Sequence, residues 1–559
     1  MWRFWEEAHK HRLALRLMKN SPPKICVPVC VQRAVDLKPM IARVAEVADI
    51  VEVRLDCLDD NERENALRFL RDHLSRPSSP FSALQFWGRR GANAGTPLIL
   101  TLRSAEQGGH TTSNFETRRR FWTSLIKVAG SALIDLELDM ALSFIADESA
   151  AETSIDWSRV ICSHHDFSGV PSDLDQVYER MAATPARILK IAVKANDATD
   201  CLPMFQLLER AQREGREMIA IAMGQAGVMT RILGPSRGSF LTYGAFDDES
   251  ATAAGQLTAT ELPETYRIDK INEKTKIVGL IGNPVEHSLS AHIHNSAFAA
   301  AAVNAVYLPF QVADAIQFLR RMAHPLSREL DWKLHGLSVT APHKSIVMNQ
   351  LDWIDDAAKE IGAVNTILVT EGELHGYNTD PAGFIRPLRR LFGSLYGARC
   401  AVIGSGGAAR AAFWALRRKG AHVILFARNP DKARPVAKAF DIEYRPLGNG
   451  SFSEFDIVIN ATPLGTQGRL EHETPATAEQ LAGVRLAYDL VYNPTVTRFL
   501  REARAADCEI FGGIAMLVVQ ATEQFKLWTG KEPDVEVMRA AAVRALELAP
   551  AIGSLKAEL

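Results

Sequence analysis

Eight short runs of apolar and β-branched residues recur between Lys24 and Thr260 and constrain the fold of this half of the chain. They lie about 20–45 residues apart, with helical or loop sequence between them. Uninterrupted apolar runs are typical of parallel strands that are buried on both faces. Eight such strands alternating with helices predict a (β/α)8 barrel of the TIM type. The runs are Ile25–Cys30, Ile50–Leu55, Leu98–Leu102, Leu133–Leu138, Val160–Ser163, Ile188–Val193, Met218–Met223 and Phe240–Tyr243.

Charged side chains occur in or just after these runs, at the strand ends where such a barrel carries its chemistry. Lys190 stands inside an apolar run, and a buried lysine is costly unless it is paired or neutral. The neutral amine forms a Schiff base with a ketone, although a lysine that reaches solvent from a strand end is an equally good interpretation. Either of the adjacent residues His164 and His165 could be a general base, and the sequence does not show which one. The remaining charged residues are Glu52, Arg54, Arg103, Asp135, Glu137 and Arg231, and the three arginines suit a small anionic substrate.

A glycine turn in the second half predicts a nucleotide-binding unit. The sequence IGSGGAAR begins at Ile403 and reads as strand, turn and helix. Gly404 permits the tight turn, and Gly406 and Gly407 let backbone N–H groups approach a pyrophosphate. The next predicted strand is followed by Arg428, where NAD-binding proteins usually carry an acid. An arginine there suits the 2′-phosphate of NADP, and the alternative is a glycine turn followed by an ordinary surface arginine.

Polar residues between 275 and 380 also follow predicted strands. Ser288 and Ser290 stand two apart, so that both hydroxyls can bind one carboxylate; the alternative is that Ser290 caps a helix. Lys344 and Asp380 form a sensible proton relay beside a secondary alcohol, with Asn365 in a neighbouring β-like run. Each of these residues alone is more often a surface or capping residue than a catalytic one.

Composition excludes several classes of protein. The 559 residues are 47% hydrophobic and 23% charged, which is enough apolar material for large cores. A net charge of −2 gives no general attraction to nucleic acid or anionic membrane, and no apolar run approaches the ~20 residues of a membrane helix. Seven scattered cysteines without CxxC or zinc spacing predict free thiols in a reducing compartment. We therefore predict a cytoplasmic protein with no metal, no nucleic-acid partner and no membrane partner, and leave its oligomeric state open.

Changes in sequence character along the chain predict its domains. The polar stretch 263–274 predicts a linker between a barrel at 24–262 and a second α/β part. That part is expected to have a catalytic lobe at 275–390, joined by C-terminal helices within 513–559, and a nucleotide lobe at 391–512. Residues 1–23 form an extension, in which Met1–Asn20 lacks the apolar region of a signal peptide. A short frayed helix or a misplaced start codon accounts for it.

Short motifs of the first half resemble the type I 3-dehydroquinate dehydratases over about 24–260. They are EVRLD from Glu52, TLR from Thr101, HHDF from His164, LKIAV from Leu189, MG from Met223, TR from Thr230 and TAAGQ from Thr252. The resemblance implies that Lys190 forms the Schiff base and that His165 is the general acid/base. Gln107 departs from the family, in which a glutamate often precedes the Gly-Gly pair. The resemblance further implies that substrate is bound by Glu52, Arg54, Arg103, Arg231, Thr252 and Gln256.

The second half resembles the shikimate dehydrogenases over about 275–550, which implies two lobes, one of them a Rossmann-type NADP lobe. The motifs are SLS from Ser288, VTAPHK from Val339, GAVNT from Gly362, NTD from Asn378, GSGG from Gly404, NAT from Asn460, DLVYNP from Asp489 and GGIAMLVVQ from Gly512. The resemblance implies Lys344 and Asp380 as the catalytic pair. It implies substrate contacts from Ser288, Ser290, Thr340, Asn365, Tyr492 and Gln520. Nucleotide contacts would come from Gly404, Gly406, Gly407, Ala408, Arg428, Asn460, Thr462 and Met516.

The two implied reactions are consecutive. The first converts 3-dehydroquinate into 3-dehydroshikimate, and the second reduces this ketone to shikimate with NADPH. The fusion therefore resembles the bifunctional enzymes of the shikimate pathway, which leads to chorismate and the aromatic amino acids. One alternative is a quinate dehydrogenase that uses NAD, which Arg428 disfavours. Another is a catalytically silent sensor of quinate-type ligands, which the presence of Lys190, His165, Lys344 and Asp380 disfavours.

Overall fold

A computed structural model describes residues 22–74, 96–146, 155–247, 255–286 and 288–548 of the chain. The chain divides into two compact units between Lys274 and Thr275. Two subjects of the sequence predictions, Met1–Asn20 and Thr252, lie outside the described residues. In the described part of the chain, no helix combines the length and the apolar character that a membrane crossing requires.

The first unit contains eight parallel strands in the order β7-β6-β5-β4-β3-β2-β1-β8. Met218 on β7 bridges to Ser239 and accepts a hydrogen bond from Phe240 N–H, which brings the two outer strands together and completes the ring. The predicted (β/α)8 barrel is confirmed. The strands are β1 (Ile25–Val29), β2 (Ile50–Arg54), β3 (Leu98–Thr101), β4 (Leu133–Glu137), β5 (Val160–Asp166), β6 (Ile188–Lys194), β7 (Glu217–Met223) and β8 (Thr242–Tyr243). The helices are Leu37–Val44, Arg63–Leu74, Phe115–Ile126, Leu138–Ala146, Leu174–Ala182, Leu202–Glu214, Val228–Leu233 and Glu261–Glu264.

Strand alternation explains how polar residues come to lie inside this barrel. Apolar residues near the strand starts pack in one buried cluster, which includes Ile50, Ile99, Leu133, Ile161 and Ile188. Side chains two residues apart on a strand share a face. The residues that follow two positions later on the same strands therefore point to the same side, and they are Glu52, Thr101, Asp135, Ser163 and Lys190. A packed apolar floor thus lies below a polar layer toward the carboxyl ends of the strands.

The second unit contains two six-stranded sheets, as the two predicted lobes require. The first has the order β10-β9-β11-β13-β14-β12, and β13 runs antiparallel to both of its neighbours. The second is wholly parallel, in the order β17-β16-β15-β18-β19-β20 of a dinucleotide-binding fold. The first sheet comprises β9 (Lys276–Gly282), β10 (Ala305–Gln311), β11 (Leu334–Val339), β12 (Trp353–Ile354), β13 (Thr366–Val369) and β14 (Leu374–Tyr377). The second comprises β15 (Arg399–Ile403), β16 (His422–Ala427), β17 (Glu443–Pro446), β18 (Ile457–Asn460), β19 (Leu486–Asp489) and β20 (Glu509–Phe511).

A helix from the far end of the chain packs against the first of these sheets. In the helix Ile514–Thr529, Trp528 Nε1 donates to Ile367 O at 3.1 Å and Gln524 Nε2 donates to Thr366 Oγ1 at 3.0 Å. The other helices of this unit are Ser290–Ala300, Ala315–Phe318, Asp356–Ile361, Asp380–Phe392, Gly407–Arg417, Pro430–Phe440, Ala478–Leu481, Arg498–Ala505 and Val535–Leu548.

Two features differ from what the sequence pattern indicates. Cys30 and Cys57 form a disulfide, so the prediction that every thiol is free is wrong for this pair. β1 and β2 are hydrogen-bonded neighbours, which brings residues 27 apart in sequence side by side at the carboxyl ends of the strands. The other five cysteines are free and buried. The stretch 263–274 is more ordered than its polar composition suggests, because Tyr266 and Ile268 are buried there.

Candidate active sites

The amine of Lys190 is buried and hydrogen-bonded inside the barrel. Its Nζ donates to Asp135 Oδ2 at 2.9 Å, to the Tyr243 hydroxyl at 2.8 Å and to Glu52 Oε1 at 3.4 Å. Lys190 is only 5% exposed, which excludes a side chain that reaches solvent. The two carboxylates offset the cost of burying its charge, and they hold the amine at a fixed point above the apolar floor.

Strand alternation also distinguishes the two histidines of β5. Ser163 faces the barrel interior, where its Oγ donates to Asp135 Oδ1 at 2.5 Å. His165 follows two residues later on the same face, whereas His164 lies on the other face. Burial lowers the pKa of His165 well below its ordinary value, and the cations of Arg103 and Lys190 lower it further. His165 is therefore neutral at pH 7 and able to accept a proton, and among the described residues its Nδ1 has no hydrogen-bond partner.

Asp135 organises this polar layer. Its carboxylate accepts from Arg103 Nη2 at 2.8 Å as well as from Lys190 and Ser163. Burial raises the pKa of Asp135, but the positive charges of Arg103 and Lys190 outweigh burial and leave the pKa well below its usual range. Asp135 therefore stays ionised and fixes both cations. The sequence marks Asp135 as a polar strand residue without a role, and it gives Tyr243 no sign of function because an aromatic residue in a strand is typical of a core.

A second ion pair fixes the mouth of the barrel. Arg54 Nη2 donates to Asp56 Oδ2 at 2.7 Å. Asp56 also accepts the backbone N–H groups of Arg103 at 3.2 Å and His110 at 3.1 Å. Burial alone raises the pKa of Asp56, but the bond from Arg54 and these backbone donors leave it below its usual value. The ends of β2 and β3 are thereby tied together around the two arginines.

Arg231 is a buried cation with no counter-ion among the described residues. It lies on the helix Val228–Leu233, is 2% exposed, and its guanidinium forms no ion pair with a described residue. Burial lowers the pKa of Arg231 to about 10, against a smaller opposing effect of Tyr243. Such a group suits an anionic ligand, because a bound carboxylate would supply the missing charge.

Gln256 follows Gly255, which packs closely on Gly224. A Cβ added to Gly255 would lie 2.3 Å from the carbonyl carbon of Gly224. The segment that carries Gln256 thus lies beside the end of β7.

Gln107, where the dehydratase family often has glutamate, contacts the strand of the neutral histidine. Its Oε1 accepts the backbone N–H of His165 at 3.2 Å. We expect Gln107→Glu to place a negative charge beside the backbone of His165 and so raise the pKa of its imidazole. The neutral base is then lost at a higher pH, and the acid limb of kcat/KM for dehydration shifts upward by about one pH unit. Glu106→Gln, at the exposed neighbouring position, should leave the profile unchanged. An acid limb that stays in place in Gln107→Glu contradicts this role for His165.

The second unit brings Lys344 and Asp380 together. Lys344 Nζ donates to Asp380 Oδ2 at 2.5 Å, and Asn365 Nδ2 donates to Asp380 Oδ1 at 2.7 Å. Asp380 begins the helix Asp380–Phe392, where the free N–H groups of the first turn favour a carboxylate. Asn365 also accepts the backbone N–H of Thr379 at 2.8 Å. One buried amide therefore holds the Asp380 carboxylate and the start of its helix.

The serine pair lies at the start of the helix Ser290–Ala300. Leu289 occupies the capping position and makes no side-chain cap, so the alternative that Ser290 caps this helix is wrong. Ser288 Oγ accepts the backbone N–H of Ser290 at 3.3 Å. Burial raises the pKa of Tyr492, which keeps its hydroxyl neutral. A buried serine, a second serine and a neutral phenol can donate hydrogen bonds to a carboxylate without a counter-charge.

Thr340 and Gln520 occupy different surroundings. Thr340 follows β11 directly, and its N–H donates to Ile281 O at 3.0 Å. Gln520 Nε2 donates to Leu517 O of its own helix at 2.8 Å. Gln524, one turn later, bonds to Ser338 Oγ and Thr366 Oγ1, both at 3.0 Å. These contacts of Gln524 were not predicted from the sequence. Gln520 and Gln524 lie in the same apolar helix, and the sequence does not show which of them contacts the sheet.

The glycine turn adopts the geometry that a dinucleotide requires. Gly404 has φ +123°, a conformation that favours glycine, and its N–H donates to Phe426 O at 2.8 Å. Gly406 precedes the helix Gly407–Arg417, whose first turn includes Ala408, and a Cβ at Gly406 would meet open space. A Cβ at Gly407 would lie 2.9 Å from Lys344 Cδ. The turn that would receive a pyrophosphate therefore lies directly beside Lys344.

The remaining predicted nucleotide residues lie around the ends of the parallel strands. Asn460 Oδ1 accepts from Thr462 N–H at 3.0 Å, and its Nδ2 donates to Asp489 Oδ1 at 2.9 Å. Burial raises the pKa of Asp489 to about 7, although bonds from Thr497, Val491 N–H and Asn460 oppose this. Asp489 was assigned no role from the sequence.

Arg428 and Met516 complete the predicted nucleotide set. Arg428 is exposed just beyond β16 and forms no ion pair with a described residue. Asn429 caps the next helix by accepting from Asp431 N–H at 2.9 Å. Met516 is buried, and its carbonyl oxygen lies 2.8 Å from a Cβ built at Gly383. The residues at this sheet edge fit a dinucleotide with an additional phosphate.

Comparison with known protein families places each half separately. Residues 25–273 match the family described as Type I 3-dehydroquinase. Residues 280–367 match the shikimate dehydrogenase substrate binding domain, and residues 387–484 match the family described as Shikimate / quinate 5-dehydrogenase. Residues 513–543 match the shikimate 5'-dehydrogenase C-terminal domain.

One relative spans both halves. It is a bifunctional 3-dehydroquinate dehydratase/shikimate dehydrogenase, chloroplastic, of Arabidopsis thaliana, 34% identical over 535 residues that cover 92% of this chain and 83% of that protein. The chain belongs to the bifunctional 3-dehydroquinate dehydratase/shikimate dehydrogenase family. Shikimate dehydrogenases (NADP(+)) match the second half alone. That of Caldanaerobacter subterraneus subsp. tengcongensis is 39% identical over 47% of this chain and 94% of its own length. The enzyme of Methanopyrus kandleri is 38% identical over 49% of this chain and 98% of its own length.

Family membership confirms the enzyme class predicted from the sequence. A bifunctional 3-dehydroquinate dehydratase/shikimate dehydrogenase has a lyase half and an oxidoreductase half that serve the shikimate pathway. The barrel with Lys190 corresponds to the lyase half, and the two sheets with Lys344 correspond to the oxidoreductase half. The family that matches residues 387–484 is described for both shikimate and quinate 5-dehydrogenases.

Proposed function

We propose that the first unit dehydrates 3-dehydroquinate through a Schiff base on Lys190. The observation that carries this proposal is a buried amine, held by Asp135 and Tyr243, beside the neutral imidazole of His165. His165 faces the same interior of the barrel as Lys190 and acts as the general base. The buried Arg231 supplies the charge for the substrate carboxylate.

Each step follows from these groups. The Lys190 amine adds to the substrate ketone, and loss of water forms the imine. The imine withdraws electrons and acidifies the neighbouring C–H, whose proton His165 accepts. His165 returns this proton to the hydroxyl group on the β-carbon, which leaves as water. Hydrolysis of the imine releases 3-dehydroshikimate and restores the amine. The substrate hydroxyls are bound by Glu52, Arg54, Arg103, Thr252 and Gln256.

We propose that the second unit reduces 3-dehydroshikimate to shikimate. NADPH supplies the hydride when it is bound at the glycine turn. Lys344 donates a proton to the carbonyl oxygen as the hydride arrives, and Asp380 keeps the ammonium in place. Asn365 holds Asp380, while Ser288, Ser290 and Tyr492 bind the carboxylate. The substrate is also contacted by Thr340 and Gln520. The nucleotide is contacted by Asn460, Thr462 and Met516.

The cofactor is NADP in this proposal, supported by Arg428 and by relatives that are named for NADP(+). We expect Arg428→Ser to raise the KM for NADPH by roughly 10–100-fold, which corresponds to the loss of a charge-assisted hydrogen bond to phosphate. The KM for NADH should stay the same, because NADH lacks that phosphate. Arg434→Ser, on the exposed face of the next helix, is the matched control. An equal increase in the KM for NADPH and for NADH would show that Arg428 does not bind the 2′-phosphate.

Mixing two inactivated variants tests whether one chain carries both consecutive activities. Lys190→Arg should lack the first and Lys344→Met the second, so neither alone converts 3-dehydroquinate and NADPH into shikimate. A mixture should form shikimate, because the small intermediate can leave one chain and enter another. A mixture that forms none, while each variant keeps its other activity, contradicts the proposed sequence of reactions.

We retain a cytoplasmic location as a prediction. The Arabidopsis relative is named chloroplastic, so family membership does not decide the compartment. Fractionation of the source cells, with shikimate oxidation as the marker, measures it directly.

A further inference from the structure

Two cysteines and a histidine lie together at the carboxyl ends of the first strands, outside the proposed catalytic residues. Cys30 directly follows β1, and Cys57 ends a short 3-10 helix, Leu55–Cys57, after β2. His110 lies in the loop beyond β3. The two sulfurs and a ring nitrogen of His110 all lie within 4.8 Å of one another. In the structure the two cysteines are joined as a disulfide.

The backbone holds His110 in this place. Gly108 has φ +77°, and a Cβ at Gly109 would lie 2.0 Å from the carbonyl oxygen of Arg103. Only glycine permits this close approach, which folds the loop back toward β2. The backbone N–H of His110 then donates to Asp56 Oδ2 at 3.1 Å. Asp56, which precedes Cys57 and pairs with Arg54, thus holds His110 in position.

We propose that Cys30, Cys57 and His110 form a Zn²⁺ site when the disulfide is reduced. Thiolate and imidazole are the ligands that zinc prefers, and three protein ligands leave a fourth position for water. Cys30 and His110 are exposed and Cys57 is partly exposed, so an ion in solution has access. The other five cysteines are buried, and none of them belongs to a group of three close ligands among the described residues.

The disulfide and the zinc site exclude each other chemically. A dithiol reductant transfers two electrons and two protons to the Cys30–Cys57 bond, which yields two thiols and the disulfide of the reductant. Zinc then binds the two thiolates and the imidazole of His110, with the release of one proton from each thiol. Oxidation of the pair therefore releases the ion.

Zinc binding to the full-length chain tests the proposal. The probe is Zn²⁺ alone, titrated in competition with a chromophoric chelator, before and after treatment with a phosphine reductant. Reduced wild-type protein should hold one more Zn²⁺ per chain than oxidised wild-type protein and than the reduced double variant Cys30→Ser/Cys57→Ser. His110→Ala should weaken this binding at least about tenfold, because one of three ligands is lost.

Cys508→Ser is the matched control, since Cys508 is the least buried of the remaining cysteines. It should bind as wild type does, with circular dichroism to confirm that every variant is folded. Equal zinc retention by reduced wild-type protein and the double variant means an adventitious ion only and overturns the proposal. Equal retention by oxidised and reduced wild-type protein overturns it as well.

Discussion

Lys190→Arg is expected to abolish dehydration of 3-dehydroquinate, with kcat lowered by roughly four orders of magnitude or more. Arginine keeps a positive charge beside Asp135 and Glu52, so the buried carboxylates are not left unpaired. A guanidinium stays protonated and cannot form an imine with a ketone. The variant therefore removes the nucleophilic amine while it keeps the positive charge. Shikimate oxidation by the second unit should be unchanged.

Borohydride reduction in the presence of 3-dehydroquinate shows the same difference covalently. Wild-type protein should gain one substrate-derived adduct on the peptide that contains Lys190, as detected by mass spectrometry, and Lys190→Arg should gain none. Lys194→Arg is the matched control, because Lys194 lies on the same strand but is exposed. An adduct of unchanged yield in Lys190→Arg would falsify the assignment of the Schiff base.

The second large effect is expected in the other half of the chain. Lys344→Met and Asp380→Asn should each lower kcat for shikimate oxidation by about 10²–10⁴-fold, which is the usual contribution of a general acid or base. Lys344→Met removes the proton carrier, and Asp380→Asn removes the charge that holds it while keeping the shape of the side chain. Dehydration of 3-dehydroquinate should persist in both variants.

Lys359→Met supplies the control for these substitutions. Lys359 lies on the helix Asp356–Ile361 and pairs with the exposed Asp356 at 3.3 Å, so its loss should leave both activities intact. Loss of dehydration together with shikimate oxidation in a folded Lys344→Met variant contradicts two independent sites. So does a Lys344→Met variant that oxidises shikimate at the wild-type rate.

The barrel was predictable because its signal recurs along the chain. Eight apolar runs, about 20–45 residues apart, leave few alternatives to parallel strands, and each observed strand lies within about three residues of its run. The alternation of side chains within a strand separates His165 from His164 once the strand is known to reach Asp166, since only one of two adjacent residues faces the interior. The glycine turn was predictable for a similar reason, because local backbone geometry requires those residues.

Contacts across strands were not predictable from the sequence. Asp135 gains its role from Lys190 and Arg103, which lie on other strands, and Tyr243 gains its role from the closure of the ring. The Cys30–Cys57 disulfide depends on the same strand pairing, which a spacing of 27 residues does not reveal. Such pairs are set by the register of neighbouring strands rather than by any local pattern.

This single chain is expected to convert 3-dehydroquinate into shikimate. The direct measurement is an assay of the purified protein with 3-dehydroquinate and NADPH, in which absorbance reports NADPH and chromatography reports shikimate. We predict that one NADPH is oxidised for each shikimate formed, and that omission of NADPH leaves 3-dehydroshikimate as the product. Consumption of 3-dehydroquinate without oxidation of NADPH and without shikimate would contradict this bifunctional activity, as would no consumption of 3-dehydroquinate at all.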